Sequence, residues 1–249
     1  MNERVNRVGF SQRIRLEWLQ QTANLVLAGN DRETVYHVLQ NFLKNKLSVD
    51  RDSDAERGSR EKTITILMKI WLNVPPGLEV LRDDGLELVR TVNKDLSIAL
   101  HWGMTMATYP FWGAVAASVG RLLRLQGSFS VFHVQRRLRE YYGERETVAR
   151  AVRRVIRSYY DWQVINETGK KGIYRSGQAR EISGISLITW LIEALLHTNR
   201  DQRGNFRELI NSPALFPFRL DRINPDLLKS SKRIKVIKHN LNEDIIFLD

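Results

Sequence analysis

The chain has 249 residues, no cysteine and a formal net charge of +11. A chain without cysteine cannot form disulfides, thiolate zinc sites, iron–sulfur clusters or a cysteine nucleophile. With 43% hydrophobic and 27% charged residues, 15 Gly and 6 Pro, the composition is typical of a folded globular protein and excludes a collagen-like or disordered chain. The segment Met1–Val8 lacks the apolar region of a secretory signal peptide, so we expect an intracellular, cytoplasmic protein.

The N-terminal part of the chain predicts helices. Apolar residues at helical spacing predict a helix over Phe10–Gly29, and a second helix begins at Asn30, which forms a capping box with Glu33. The stretch Ser48–Ser59 is charged and rich in turn-forming residues, which predicts a mobile loop. Further along, short helices broken around Gly85 are expected.

The segment Leu96–Gly120 carries no Asp, Glu, Lys or Arg and is long enough to cross a bilayer. Polar residues interrupt it, and Pro110 removes a helix hydrogen bond in its middle. We therefore predict two consecutive buried helices that meet at Pro110, and a membrane partner is not expected. The aromatic residues of the segment are expected in the core and not in a base-stacking platform: Trp102, Tyr109, Phe111 and Trp112.

The positive charge is concentrated in one stretch of the chain. Residues 121–180 contain fourteen basic and five acidic side chains, a net charge of +9, whereas the other 189 residues carry only +2. Such a local excess of positive charge is typical of a polyanion-binding site.

Two adjacent helices are predicted inside this basic stretch. The first is capped by Ser128 or Ser130, and its inner face consists of Val131, Val134, Leu138 and Tyr141. The second covers about Glu144–Tyr160 and separates apolar from arginine residues. Its apolar face consists of Val148, Val152, Val155, Ile156 and Tyr159. Its other face consists of Arg150, Arg153, Arg154 and Arg157.

A β-hairpin is predicted after the second helix. The β-type runs Gln163–Asn166 and Ile173–Arg175 flank the basic turn Glu167–Gly172, which carries Lys170 and Lys171 at its tip. In this order of helix, tight turn, arginine-faced helix and hairpin, residues 127–176 resemble the winged helix-turn-helix superfamily. The resemblance implies double-stranded DNA binding, with the second helix in the major groove and the hairpin, or wing, along the phosphates or the minor groove.

Arginine suits both contacts because its planar fork can bind guanine edges or phosphates in a bidentate manner, which lysine cannot match. The predicted DNA-binding residues are Arg136, Arg137, Arg145, Arg150, Arg153, Arg154, Arg157, Lys170 and Lys171. The arginines of the second helix are the groove candidates. The backbone candidates are Arg136, Arg137, Lys170 and Lys171. Two alternatives remain open, namely an acidic protein partner and a solvated face paired with acids, for example Glu146 with Arg150.

The sequence predicts no enzyme, metal site or cofactor. The five histidines are widely separated and form no metal-binding motif: His37, His101, His133, His197 and His239. Nuclease-like carboxylates could lie among Asp50, Asp52 and Asp54 or at Asp83 and Asp84. Both acidic runs are better explained as solvated loop residues, because a metal site needs rigid convergence of its ligands.

The C-terminal part predicts a helix over Ser186–Thr198 and a hairpin. The apolar stripe of the helix consists of Ile188, Leu191, Ile192, Leu195 and Leu196, and suits packing on the N-terminal helices or on a partner subunit. The hairpin strands are Arg233–Lys238 and Asp244–Leu248. Four basic residues beside it extend a nucleic-acid surface or protect an edge strand: Lys232, Arg233, Lys235 and Lys238.

The predicted fold is mainly α, with a helical domain (1–125), a winged helix-turn-helix (126–180) and a C-terminal helix with a β-hairpin extension (181–249). A helical domain that leads into a helix-turn-helix resembles the layout of BrxA-like accessory proteins of BREX phage-defence systems. That resemblance implies a DNA-binding accessory within a multi-protein complex, and a transcription regulator is the simpler interpretation. A protein-interaction adaptor using the winged helix and the Ile188–Leu196 stripe is the alternative function, and RNA binding also remains open.

Overall fold

The structure, a computed structural model, describes residues 7–47, 58–221, 223–240 and 243–249. The helices in these ranges are α1 (Leu16–Leu27), α2 (Arg32–Leu43), α3 (Ser59–Trp71), α4 (Glu79–Thr91), α5 (Ser97–Thr108), α6 (Pro110–Gln126), α7 (Val131–Tyr142), α8 (Glu146–Asp161), α9 (Ile185–Leu196) and α10 (Phe206–Ile210). The strands are β1 (Ser128–Ser130), β2 (Ile165–Glu167), β3 (Ile173–Ser176), β4 (Arg180–Ile182), β5 (Arg203–Asn205), β6 (Phe218–Leu220), β7 (Ile234–Asn240) and β8 (Glu243–Leu248). The mainly α fold predicted from the sequence is confirmed.

Helix α5 lies at the centre of the fold, and all twelve of its residues are buried. It packs against α1, α3, α4, α6 and α9, as expected for a helix without a charged face. Helix α6 begins at Pro110 directly after Tyr109, so the uncharged segment forms two buried helices, as predicted. Among the described helices, none is long and apolar enough to span a membrane.

The indole ring of Trp190 in α9 fills the space between α4 and α5. A Cβ atom at Gly85 would lie 2.8 Å from Cζ2 of this ring, and one at Gly103 would lie 2.5 Å from Cζ3. The ring also donates a hydrogen bond from Nε1 to the Leu81 carbonyl oxygen at 2.9 Å. The predicted helix break at Gly85 is therefore wrong, because α4 continues through this position. The glycine has no side chain and so leaves room for the Trp190 ring.

The apolar stripe of α9 faces the interior of the same chain. All five of its residues are buried, and α9 packs on α4 and α5. Packing on the N-terminal helices, one of the two predictions for this stripe, is therefore confirmed. The stripe offers no exposed face to a partner subunit.

The N-terminal helix begins later than predicted, because the backbone before Leu16 is used in tertiary hydrogen bonds. The Ile14 N–H donates to the Ser158 hydroxyl at 2.8 Å, and the Ile14 carbonyl accepts from Trp162 Nε1 at 3.0 Å. The cap predicted for the second helix is also wrong by one residue. Asp31, not Asn30, accepts from the Thr34 N–H at 2.8 Å.

Two predictions fall partly outside the described residues. The predicted loop Ser48–Ser59 is described only from Gly58, and Ser59 already begins α3. The acidic run Asp50–Asp54 lies outside the described ranges, whereas Asp83 and Asp84 lie in α4 and not in a loop. The second pair is exposed, as expected, but the expectation that it lies in a loop is wrong.

The predicted C-terminal hairpin is confirmed as the antiparallel pair of β7 and β8, with residues 241–242 outside the described ranges. The short strand β5 adds to the other edge of β8, giving the order β5-β8-β7. Strands β4 and β6 form a separate parallel pair.

The basic stretch forms helices α7 and α8 and a three-stranded antiparallel sheet of order β1-β3-β2. Helix α6 packs on α7, α8 and β1. One buried core includes Trp102, Val152 and Leu191 and so runs through all three predicted domains. The division into domains itself stays a prediction.

Candidate nucleic-acid interface

Helix α8 has one buried and one exposed face, as its sequence predicts. All five residues of the predicted apolar face are buried. The Tyr159 hydroxyl also donates to the Trp112 carbonyl oxygen at 2.8 Å, which fixes the helix against α6. The four arginines of the opposite face are exposed. The helix therefore presents a row of guanidinium groups to solvent from a tightly packed base.

The C-terminal turn of α8 is attached to the segment before α1. The Arg13 guanidinium donates to both carboxylate oxygens of Asp161. This contact raises the pKa of Arg13 against the opposing effect of its partial burial. The bonds of Ser158 and Trp162 to Ile14 act at the same place. Together these contacts hold the arginine face in one orientation relative to the N-terminal helices.

The four exposed arginines of α8 differ in their acidic partners. Arg153 pairs with Glu146 at 2.8 Å, and Arg157 lies 3.8 Å from Glu167. Neither Arg150 nor Arg154 forms an ion pair with any acid of the described chain. These two residues lie four apart on one helix face, where like charges repel each other. They are thus the two cations of the helix best placed to gain from an external anion.

The pair of Glu146 with Arg150, one of the alternatives raised by the sequence, is not formed. Glu146 instead accepts from Arg153 and from Arg139 Nη2 of α7, the latter at 3.3 Å. Arg139 was not among the predicted site residues. The acid therefore bridges α7 and α8 and leaves Arg150 exposed and unpaired.

Helix α7 begins at the predicted cap, because Ser130 accepts a hydrogen bond from the His133 N–H at 3.2 Å. Its inner face consists of Val134 and Leu138 with Tyr142. The prediction that Tyr141 lies in the core is wrong, because this side chain is 67% exposed.

The candidates in and after α7 lie in different surroundings. Arg136 is exposed and lies 3.9 Å from Glu140, whereas Arg137 is exposed and has no ion pair among the described residues. Arg145 is the N-cap residue of α8 and donates from Nη2 to the Tyr142 carbonyl at 3.1 Å. Arg145 therefore also stabilises the turn between the two helices.

The predicted hairpin is confirmed as strands β2 and β3, paired through Asn166 and Arg175. Lys170 and Lys171 are exposed in its turn and form no ion pair within the described ranges. The Val131 N–H donates to the Gly172 carbonyl at 3.0 Å, so the turn is attached to the start of α7.

The sequence reasoning missed one exposed cation of the hairpin. Arg175 points to solvent, whereas the preceding Tyr174 is buried and stacks on Phe129 of β1 with ring centroids 5.7 Å apart. Alternation along the strand could have identified this arginine, because successive side chains of a strand point to opposite faces.

The aromatic residues of α5 and α6 belong to the core, as predicted: Trp102, Tyr109, Phe111 and Trp112 are all buried. His101 is buried beside them, where it bonds to Trp71 Nε1 at 3.1 Å and to Gln20 at 3.0 Å. In the part of the chain that the structure describes, no three His, Asp or Glu side chains converge as they would around a metal ion.

The nine predicted DNA-binding residues lie in contiguous elements, namely α7, the following turn, α8 and the tip of the β2–β3 hairpin. Comparisons of the chain with protein-family models, curated proteins and solved structures found no match.

Proposed function

We propose that the segment from α6 to β3 is a winged helix-turn-helix that binds double-stranded DNA. The order of its elements supports this proposal: a first helix (α6), a strand (β1), two helices (α7 and α8) and a hairpin, with sheet order β1-β3-β2. In this scheme α8 is the recognition helix, and the β2–β3 hairpin is the wing. The first helix of the unit is α6, so the unit begins before residue 127.

The observation that carries the proposal is the state of Arg150 and Arg154. Both are exposed, both lie on the outer face of a helix whose other face is buried, and neither has an acidic partner among the described residues. If this face were only solvated, its arginines would be expected to pair with acids of the same chain, as Arg153 does with Glu146. The guanidinium groups of Arg150 and Arg154 therefore favour an external polyanion.

The arginines of α8 are proposed to enter the major groove, where each can contact guanine edges or phosphates. Arg136, Arg137, Lys170 and Lys171 are proposed to contact the phosphate backbone. Arg145 remains a candidate whose second role is to hold the turn before α8. Arg175 is added as a backbone candidate because it is exposed on the wing.

This DNA-binding activity suits an accessory protein of a BREX phage-defence complex, as the layout of the chain implies, and equally a transcription regulator. The adaptor alternative relied on the winged helix and on the apolar stripe of α9. Since that stripe is buried within the chain, it does not favour the adaptor.

The test is fluorescence anisotropy with a random duplex of about 30 base pairs, the matching single strand and an RNA hairpin, each titrated across salt. We expect preference for the duplex and a slope of log K against log salt of about −4 or steeper, because several phosphates are neutralised together. Preference for the RNA hairpin would replace DNA by RNA as the ligand. Absence of binding to all three at low salt would contradict the proposal.

A matched pair of variants locates the interface. Arg150→Gln with Arg154→Gln removes two unpaired charges from α8, and we expect a loss of at least about tenfold in duplex affinity, since each lost contact weakens binding. Arg200→Gln with Arg207→Gln removes two exposed charges elsewhere and controls for net charge. Equal losses in the two double variants would reject the arginine face as the binding site.

A further inference from the structure

A second feature of the basic stretch is a cleft of about 410 Å³ between α6 and α7. Ala114 and Leu138 contribute apolar surface to it, and Ser118, Arg121, Arg137 and Tyr141 contribute polar or aromatic groups. Clefts of this size suit ligands of small-molecule dimensions, especially where an apolar surface carries a few convergent polar groups.

The cleft brings together two guanidinium groups that have no acidic partner. Arg121 and Arg137 both line it, and neither forms an ion pair with an acid in the described ranges. Partial burial lowers the pKa of Arg121, and the nearby charge of Arg137 lowers it further. Two cations held close together without an ion-pair partner repel each other, so a bound anion would relieve that repulsion.

A buried hydroxyl beside these arginines also lacks a partner. The Ser118 side chain is 1% exposed, and its Oγ has no hydrogen-bond partner among the described atoms. Buried polar groups are nearly always hydrogen-bonded, and each exception costs free energy. Since Ser118 lines the cleft, a ligand oxygen there would satisfy this hydroxyl.

The rim of the cleft carries an exposed aromatic ring. The Tyr141 side chain is 67% exposed and meets the Tyr142 ring edge-on, with centroids 4.9 Å apart. An exposed tyrosine held by a neighbouring ring offers a flat surface on which a nucleobase can stack.

The acid Glu140 also lines the cleft, and its negative charge would repel an anionic ligand. Glu140 lies 3.9 Å from Arg136, so the guanidinium group of Arg136 offsets part of its charge. The groove continues past Arg137 as a second cleft of about 310 Å³, which His133 and Arg136 line. The net charge around the joined clefts therefore remains positive.

We propose that the cleft between α6 and α7 binds a nucleotide, with its phosphate between Arg121 and Arg137 and its base against Tyr141. The Ser118 hydroxyl donates a hydrogen bond to a ligand oxygen. The nucleotide is either free or a unit of a single-stranded nucleic acid, because both sources present the same phosphate and base. This inference does not rest on the DNA-binding proposal, since α8 contributes no residue to the cleft; the two proposals share Arg137 as a phosphate contact.

The test is calorimetric titration of the full chain with adenosine 5′-monophosphate, with a deoxyadenosine trinucleotide, and with adenosine and inorganic phosphate as fragments. We expect saturable binding of the mononucleotide or the trinucleotide with a Kd of about 1 mM or tighter. Each fragment alone should bind at least about tenfold more weakly, because it loses one of the two recognition elements. Binding of the trinucleotide without the mononucleotide would assign the site to a nucleic-acid strand.

Variants decide whether the ligand lies in this cleft. Arg121→Gln and Arg137→Gln should each weaken nucleotide binding at least about tenfold, whereas Arg124→Gln, an exposed arginine of α6 outside the cleft, should leave it unchanged. Tyr141→Ala should weaken binding of the nucleotide but not of inorganic phosphate. No saturable binding of either nucleotide, or unchanged binding in both cleft variants, would overturn the proposal. So would loss of nucleotide binding in the Arg150→Gln, Arg154→Gln variant, because that result would place the ligand on α8.

Discussion

Arg233 donates two hydrogen bonds to the Glu193 carboxylate, from Nε to Oε1 at 2.7 Å and from Nη2 to Oε2 at 2.9 Å. Glu193 is only 2% exposed. Its burial raises the pKa of its carboxyl group, and the charge of Arg233 opposes that rise. Arg233 also contacts Asp84, so it joins the C-terminal sheet to α9 and α4. This arginine therefore stabilises the fold through its contacts with Glu193 and Asp84, and its guanidinium group is not available to extend a nucleic-acid surface.

Arg233→Met is expected to lower the free energy of unfolding by about 3 kcal/mol or more, because it leaves the Glu193 carboxylate buried without its partner. Adding Glu193→Gln should recover part of the loss, since the remaining buried group is then neutral. Denaturant unfolding of both variants measures the effect. Lys232→Met, at an exposed neighbour, is the control, and an equal loss there would contradict the structural role of Arg233.

The paired and unpaired arginines of α8 should differ in their contribution to duplex binding. Arg153 and Arg157 must leave Glu146 and Glu167 to reach a phosphate, whereas Arg150 and Arg154 are free of acids in the described chain. The variant Arg150→Gln, Arg154→Gln should therefore lose more affinity than Arg153→Gln, Arg157→Gln. The slope of log K against log salt should become shallower by about 2 in the first variant, as expected when two phosphate contacts are lost.

Thermal unfolding separates this effect from damage to the fold. Removing Arg150 and Arg154 relieves repulsion between like charges, so the Tm should not decrease. Removing Arg153 takes away a partner of Glu146, so a small decrease is expected there. Greater affinity loss in the paired variant would show that internal ion pairs do not limit binding.

His101 makes the stability of the protein dependent on pH. Burial lowers its pKa from the ordinary value near 6.5 to about 3, so the folded state holds the ring neutral while the unfolded state binds a proton. The contribution of His101 to the free energy of unfolding is therefore greatest above pH 6.5 and decreases as the pH falls toward 3. Between pH 7 and pH 5 the expected decrease from this residue is about 2 kcal/mol.

Urea unfolding at the two pH values measures this dependence. His101→Gln should reduce the difference between them, whereas the exposed His133→Gln should retain it. Nitrogen chemical shifts of the ring give a second measurement on the unaltered chain, in which His101 should remain neutral at pH 5. A ring that titrates near pH 6.5 in the folded protein would contradict the expectation.

Gly120 allows α6 to approach the backbone at Pro213. A Cβ atom at this position would lie 2.0 Å from the Pro213 carbonyl oxygen, and backbone cannot move aside as a flexible side chain can. Gly120→Ala is expected to lower the free energy of unfolding by about 3 kcal/mol or more. Gly58→Ala, where nothing lies within 4 Å, should cost at most about 1 kcal/mol as a cap substitution. Similar losses at the two glycines in denaturant unfolding would refute the close approach.

The sequence predicts α8 well because its pattern is local. Apolar residues from Val148 to Tyr159 repeat at helical spacing, and the arginines fill the opposite face, so one helix accounts for both sets. The hairpin tip at Lys170 was equally predictable, because a glycine-containing turn separates two β-type runs. The exposure of the candidate residues in α8 and at the hairpin tip follows from these local patterns.

Features that depend on distant partners could not be predicted in this way. Strand β1 has only three residues. Its central residue, Phe129, pairs with Tyr174 of β3, which lies 45 positions further along the chain. Tyr141 and Tyr142 are the same residue type at adjacent positions. Which ring is buried depends on tertiary contacts such as that of Tyr142 with Phe111, at 5.1 Å between ring centroids. The distribution of ion pairs along α8 likewise depends on Arg139 of another helix and on Glu167 of the hairpin.

The contact between Arg13 and Asp161 has a consequence for how the molecule would sit on a duplex. Because α8 is held to the N-terminal helices at this point, it cannot rotate in a groove without carrying the rest of the chain. The helical body would therefore project from the DNA axis in one fixed direction. Copies bound one helical turn apart, about 10.5 base pairs, would stand on the same side of the duplex, and copies half a turn apart would stand on opposite sides.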